Sequence, residues 1–331
     1  HQPGQEIFQA ANKLASKDTP SEYDIQFVKN GVRYAYGFAI VRNAVSSEYL
    51  YYFPNGRQVK IFERENEEIK PGDKYKNVFD VSIGILKKNR LFLSCAANYT
   101  NIKEIEDAFL FFKKDIVVYN PHANNWTEYS INLMQQNSEV KETFLRILDA
   151  LGTEVKDIRV KIEKTRLNEK DLPSDMPDTL KAFISSQEAN MIEAKLIYDK
   201  FETDLMSEES TGIKKLFELI CPIIDIIDNE KILVCDEMET GLHETIVYQI
   251  VKLFYSARKD KFAQLIFSTH DTSLLDSSLF RRDQVWFTDK NQYGETSMCR
   301  LSDYPNVRSN DNIAAKYLQG VFGAIPNTQN L

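Results

Sequence analysis

Apolar and polar residues alternate from Tyr23 onward. In YDIQFVK, Tyr23, Ile25 and Phe27 share one face; in VRYAYGFAIV, Val32, Tyr34, Tyr36, Phe38 and Ile40 do the same. A period of two marks a strand with one buried face. Asn30-Gly31, between the two runs, is the dipeptide a tight hairpin favours. EYLYYF and VKIFER repeat the pattern around a turn at Pro54-Asn55-Gly56. An antiparallel meander is therefore expected to about residue 64.

The period then lengthens. LFLSCAA (91 to 97) opens a helical segment expected to reach about Lys114. In SEVKETFLRILDAL, Val140, Phe144, Ile147, Leu148 and Leu151 recur at helical spacing behind Ser138, the expected N-cap. The charged stretch IRVKIEKTRLNEKDLPSDMPDTLK leads into a Pro-containing linker at 171–178. After residue 205 the pattern changes again. SEESTGIKKLFELICPIIDIID reads as a capped helix and KILVCDE as a strand buried on both faces. HETIVYQIVKLFYSARK turns Ile246, Val247, Ile250, Val251 and Phe254 inward, and AQLIFSTH and QVWFTDK read as two more strands. Strand, helix, strand implies a parallel sheet. The expected fold class is α/β: an antiparallel β lobe over 1–100, a mostly helical inserted lobe over 101–205 and a parallel-sheet core over 206–331.

Composition narrows the setting. With 331 residues the chain can bury a large core, and 43% hydrophobic with 27% charged residues is the balance of a soluble globular protein. No apolar run reaches the ~18 residues of a membrane span, so no membrane partner is expected. Cys95, Cys221, Cys235 and Cys299 form no CxxC pair and read as reduced packing residues of a cytoplasmic protein. A net charge of -8 gives no support to a DNA partner, although a local basic face would not alter that total.

Four short signals carry candidate chemistry. Ser210-Thr211-Gly212 opens a helix, where unpaired N–H groups suit a phosphate; the plain alternative is an ordinary N-cap. Asp236-Glu237 ends an apolar strand, where one carboxylate can hold Mg²⁺ through water and the other can act on an attacking water; the alternative is a surface pair capping the next helix. Thr240-Gly241-Leu242-His243 is a tight turn. Ser268-Thr269-His270-Asp271 ends the next strand, so His270 would face the same crevice as the acidic pair.

Order and context matter more than any one signal. SxG at a helix start, a strand ending DE, a small turn and a strand ending STH resemble the signature, Walker B, D-loop and H-loop of an ABC-type ATPase. STHDTSLLD, RRDQVWFTDK, YLQGVFGAIP, GVRYAYGFAI and EYLYYFPNGR are similar to the AAA15 branch, the abortive-infection and RloA-like ATPases of phage defence related to OLD, RecF and Rad50 heads. The resemblance spans about residues 22 to 325. It implies that Asp236 binds the Mg²⁺ shell, Glu237 acts on the lytic water and His270 senses the γ-phosphate. It further implies that Ser210, Thr211 and Gly212 contact ATP held by a second subunit, giving a homodimer or higher homo-oligomer that controls a separate, nuclease-type effector protein.

The chain departs from that pattern in lacking GxxxxGK[ST]; no Gly-Lys dipeptide occurs. The sequence, which begins at His1, is expected to lack the N-terminal segment bearing the P-loop, and so to hydrolyse no ATP alone. Two other classes compete. One is a non-catalytic ABC-like scaffold that binds or stores an effector. The other is a TOPRIM-like nuclease using Asp236, Glu237 and Glu239 around metals.

Overall fold

The computed structural model describes residues 7, 9–122, 126–166, 188–256, 261–276, 278–308 and 311–325. Two compact units result: one holds the chain to Ile116 together with Phe287–Cys299, the other holds Val117–Trp286 and Arg300–Asn330.

The first unit is built on a five-stranded antiparallel meander of β1 (Ser21–Lys29), β2 (Val32–Val41), β3 (Ala44–Phe53), β4 (Val59–Glu65) and β5 (Glu68–Pro71), in that order. Strand β5 extends it past the expected end. At the first hairpin Asn30 and Gly31 both have positive φ, 51° and 75°, as the tight turn requires. Gly37 is needed for space: a Cβ there would sit 2.7 Å from the Tyr49 ring lying across β2. Tyr34, Leu50, Ile61 and Phe62 are buried, and α1 (Asp80–Gly84), α2 (Phe92–Tyr99) and α3 (Lys103–Leu110) follow. The expected single helical run is thus broken, and α3 ends in a π-helical turn over Phe111–Asp115. Phe62, Phe79 and Phe92 meet edge to face, with centroids 4.8 to 6.4 Å apart, the geometry their quadrupoles favour.

Beneath that aromatic cluster lies a fully buried ion pair. Glu48 accepts from the N–H groups of Phe92 (2.6 Å) and Leu93 (2.9 Å), the Tyr36 hydroxyl (3.0 Å) and Arg64 Nη1 (3.5 Å). Arg64 donates onward to the carbonyls of Asn66 and Arg90. Glu48 thereby satisfies the unpaired first-turn donors of α2. Burial pushes its carboxyl up and the Arg64 guanidinium down, against their mutual attraction.

The second unit begins with β6 (Ile116–Tyr119), α4 (Thr127–Gln136) and α5 (Ser138–Ala150). The cap of α5 is Asn137, whose side chain accepts from Glu139 N–H at 2.9 Å; Ser138 is the first helical residue. The charged stretch that follows forms a three-stranded antiparallel sheet, β7 (Asp157–Arg166), β8 (Glu188–Ile197) and β9 (Glu202–Asp204). The linker expected at 171–178 lies outside the described residues. Helix α6 (Thr211–Asp228) is apolar nearly all round because it separates two cores. One side packs Phe217, Ile220 and Cys221 with Phe144, Leu148, Ile158 and Leu196. The other packs Leu219, Ile223 and Ile226 against the parallel sheet.

That sheet has the order β11-β10-β6, with β10 (Ile232–Cys235), α7 (Glu244–Ser256) and β11 (Gln264–Phe267) forming the expected crossover. Val247, Ile250 and Val251 of α7 are buried against it. Strand β10 is not buried on both faces. Leu233 and Cys235 point into the core, whereas Val118 and Ile266 on the other face are 64% and 57% exposed. QVWFTDK does not join this sheet either. It forms β12 (Trp286–Lys290), which pairs with β13 (Thr296–Arg300) as a separate hairpin around Asn291 and Gly294. Helix α8 (Ile313–Leu318) closes the described chain. Among the described residues no helix is long and apolar enough to cross a membrane.

Candidate functional site

The strand ends of the parallel sheet place the acidic pair. Asp236 N–H donates to the Tyr119 carbonyl of β6, and Ser268 N–H to the Cys235 carbonyl, so the ladder continues one residue past β10 on both sides. Ser268 Oγ then acts twice, accepting from Glu237 N–H at 2.9 Å and donating to Asp236 Oδ1 at 2.5 Å. One hydroxyl fixes both neighbours. Glu237 has φ 45°, a left-handed conformation that a glutamate adopts only at a cost of about 1–3 kcal/mol. The turn behind it closes through Thr240 N–H to the Glu237 carbonyl, with Gly241 at φ 79°.

The two sheet neighbours each supply an imidazole. His270, after β11, has Nε2 4.0 Å from Glu237 Oε1. Its backbone N–H donates to Glu239 Oε1 at 2.7 Å, which fixes the loop. His122, after β6, has Nε2 3.0 Å from Glu237 Oε2. The structure therefore brings Asp236, Glu237 and His270 together and adds His122 and Ser268, which the sequence reading left without a role. Glu237 is 43% exposed and His270 86%, so both face solvent. His243 is occupied elsewhere, its Nδ1 bonding Thr245 at the start of α7.

Ser210 caps α6, its hydroxyl accepting from Ile213 N–H at 3.3 Å, with Thr211 and Gly212 in the first turn. These three share no side-chain hydrogen bond with Asp236, Glu237 or His270 among the described residues. They abut the turn instead, since a Cβ on Gly212 would lie 3.9 Å from the Gly241 carbonyl. One turn further on, Lys215 Nζ pairs with buried Glu218 at 3.2 Å. Glu218 Oε1 also accepts from the Tyr119 hydroxyl at 2.8 Å and from Trp126 N–H at 3.3 Å. Burial and that bond push the Tyr119 phenol up. Tyr119 thus connects α6 to Asp236 through its own carbonyl. The Cys235 thiol, pushed up to about 12 by burial, is inert packing.

The donor set bears on a metal. Asp236 and Ser268 are hard oxygen donors, and Mg²⁺ binds through one or two carboxylates while keeping water and phosphate ligands. The residues fit that use. Glu239 Oε1 accepts the His270 backbone N–H, and among the described residues no group of three or more His, Cys, Asp or Glu that could hold an ion is found.

The parallel strands ending in an acidic pair belong to an AAA domain. The family model described as AAA domain, putative AbiEii toxin, Type IV TA system matches residues 14–276, and the chain belongs to that family. Among solved structures, the SmcHead bound to the C-winged helix domain of ScpA is similar at 13% identity, covering 86% of this chain and 76% of that one with a TM-score of 0.43. No curated protein matches the chain.

Proposed function

We propose that this chain is the Walker B, H-loop and signature portion of an ATP-hydrolysing head that works in a cytoplasmic phage-defence system. The observation that carries the reading is Glu237 Oε1 lying 4.0 Å from His270 Nε2, with Asp236 held alongside on Ser268. Asp236 would hold Mg²⁺, which would supply charge neutralisation at the phosphates. Glu237 orients the attacking water and takes its proton. His270 donates to a γ-phosphate oxygen from the exposed side. Ser210, Thr211 and Gly212 present backbone N–H groups to ATP held by a second copy, so nucleotide joins two chains and the joined state controls an effector protein.

The β/γ-phosphate cradle is the missing part. Val118 and Ile266 leave one face of the parallel sheet open, whereas such sheets are ordinarily covered on both. A P-loop-bearing segment packed there would supply the lysine and complete the head. The 331-residue chain alone is therefore expected not to turn over ATP. Mg²⁺-dependent turnover by this chain alone, abolished by Glu237→Gln, would contradict that expectation.

The test of the whole reading is sedimentation of the P-loop-bearing protein with and without ATP. Dimerisation on ATP, prolonged by Glu237→Gln and blocked by Ser210→Arg, is the expected result. The absence of a Gly-Lys dipeptide favours one other reading, a scaffold that retains its partner without nucleotide. Partner retention unchanged by ATP, with no dimerisation, would select it.

A further inference from the structure

Glu237 ends the middle strand of three, and each flanking strand delivers an imidazole to it. The two histidines divide its oxygens: His122 Nε2 is 3.0 Å from Oε2, and His270 Nε2 is 4.0 Å from Oε1. His122 is itself braced, its N–H donating to Asn120 Oδ1 at 2.9 Å. The carboxylate is thus held at both ends, by Ser268 and the left-handed backbone at its base and by His122 at its tip.

We propose that His122 is a positioning residue for Glu237, its Nε2–H donating to Oε2 so that Oε1 stays aimed at the attacking water on the His270 side. The proposal rests on the reading of Glu237 as the hydrolytic carboxylate. A glutamate so exposed loses side-chain freedom worth roughly 1.5–2 kcal/mol when fixed, and something must hold it. A single N–H donor at Oε2 fixes one carboxylate oxygen and leaves the other open toward the water. An exposed pair with no such task would contribute little of anything.

The test measures ATP hydrolysis by the P-loop-bearing protein at saturating Mg-ATP, with unfolding of each variant measured alongside. His122→Ala is expected to lower kcat by roughly ten- to hundredfold, with KM for ATP within about twofold, because misaiming a base costs rate and not substrate affinity. His122→Gln, which keeps an N–H donor at similar reach, is expected to recover most of that loss. Wild-type kcat in His122→Ala, a change confined to KM, or no rescue by His122→Gln would overturn the proposal. Glu237→Gln separates the two claims. If it abolishes turnover while His122→Ala does not lower it, only the positioning role fails; if turnover survives in Glu237→Gln, or wild type shows none, the reading of Glu237 fails.

Discussion

Glu48, within β3 of the first unit, and Glu237, just past the end of β10 in the second, are both glutamates placed by a strand, yet they live in opposite circumstances. Glu48 is wholly buried and takes hydrogen bonds from two amides, a phenol and a guanidinium. Glu237 is partly exposed, with one imidazole at bonding distance and another just beyond it. The first has no lone pair to spare and serves to lock α2 onto the meander. The second keeps an oxygen free, sits on a strained backbone and is braced so as to point. A carboxylate whose acceptor sites are filled serves architecture; one held in place but left open is available for chemistry.

Removing the partner of the closed carboxylate should have the largest effect. Arg64→Met leaves Glu48 buried without its cation and frees the carbonyls of Asn66 and Arg90. A loss of about 3–5 kcal/mol in urea unfolding is expected. A loss under about 1 kcal/mol would break the comparison.

Glu218 offers a second closed carboxylate, this time beside the site. Lys215→Met removes one of its donors while Tyr119 and Trp126 remain. The expected cost is about 1–3 kcal/mol. Because Tyr119 also receives the Asp236 N–H, altered amide shifts at Asp236 should accompany it.

Asp204 sharpens the contrast from the weak end. Its Oδ1 collects the N–H groups of Met206 and Ser207 and the Ser207 hydroxyl at the surface, and the Ser207 bonds hold its carboxyl below the ordinary 3.8. A depressed folded-state value makes this stabilisation present above about pH 3.8 and lost as pH falls below it. Asp204→Ala should cost under about 1 kcal/mol at neutral pH and flatten the acid limb slightly in unfolding titrations.

Much of this was legible in the chain. Asn30-Gly31 fixed the first hairpin, and the β10, α7 and β11 run fixed the crossover that carries Asp236, Glu237 and His270 to one edge. Local signals ended there. His122 follows a strand of only four residues, IVVY, whose place beside β10 is a pairing across more than a hundred positions. Ser268 reads only as part of the strand end STH until the fold turns its hydroxyl between two carboxylate residues. QVWFTDK is apolar enough for a core strand, but Asn291 and Gly294 just after it form a turn that folds it back on β13. That turn signal was present in the sequence. The pairing of β7 with β8 was not, since their approach depends on the hydrophobic stripe each lays on α4, α5 and α6.

The central claim is that the open glutamate does chemistry while the closed one holds the fold. Glu237→Gln and Glu48→Gln, made separately in the P-loop-bearing protein and compared for unfolding free energy and ATP turnover, address it most directly. The expected result is a Glu237→Gln protein within about 1 kcal/mol of wild type that no longer hydrolyses ATP, and a Glu48→Gln protein destabilised by more than that. A Glu237→Gln protein that unfolds like the Glu48 variant, or that still turns over ATP, would contradict the account.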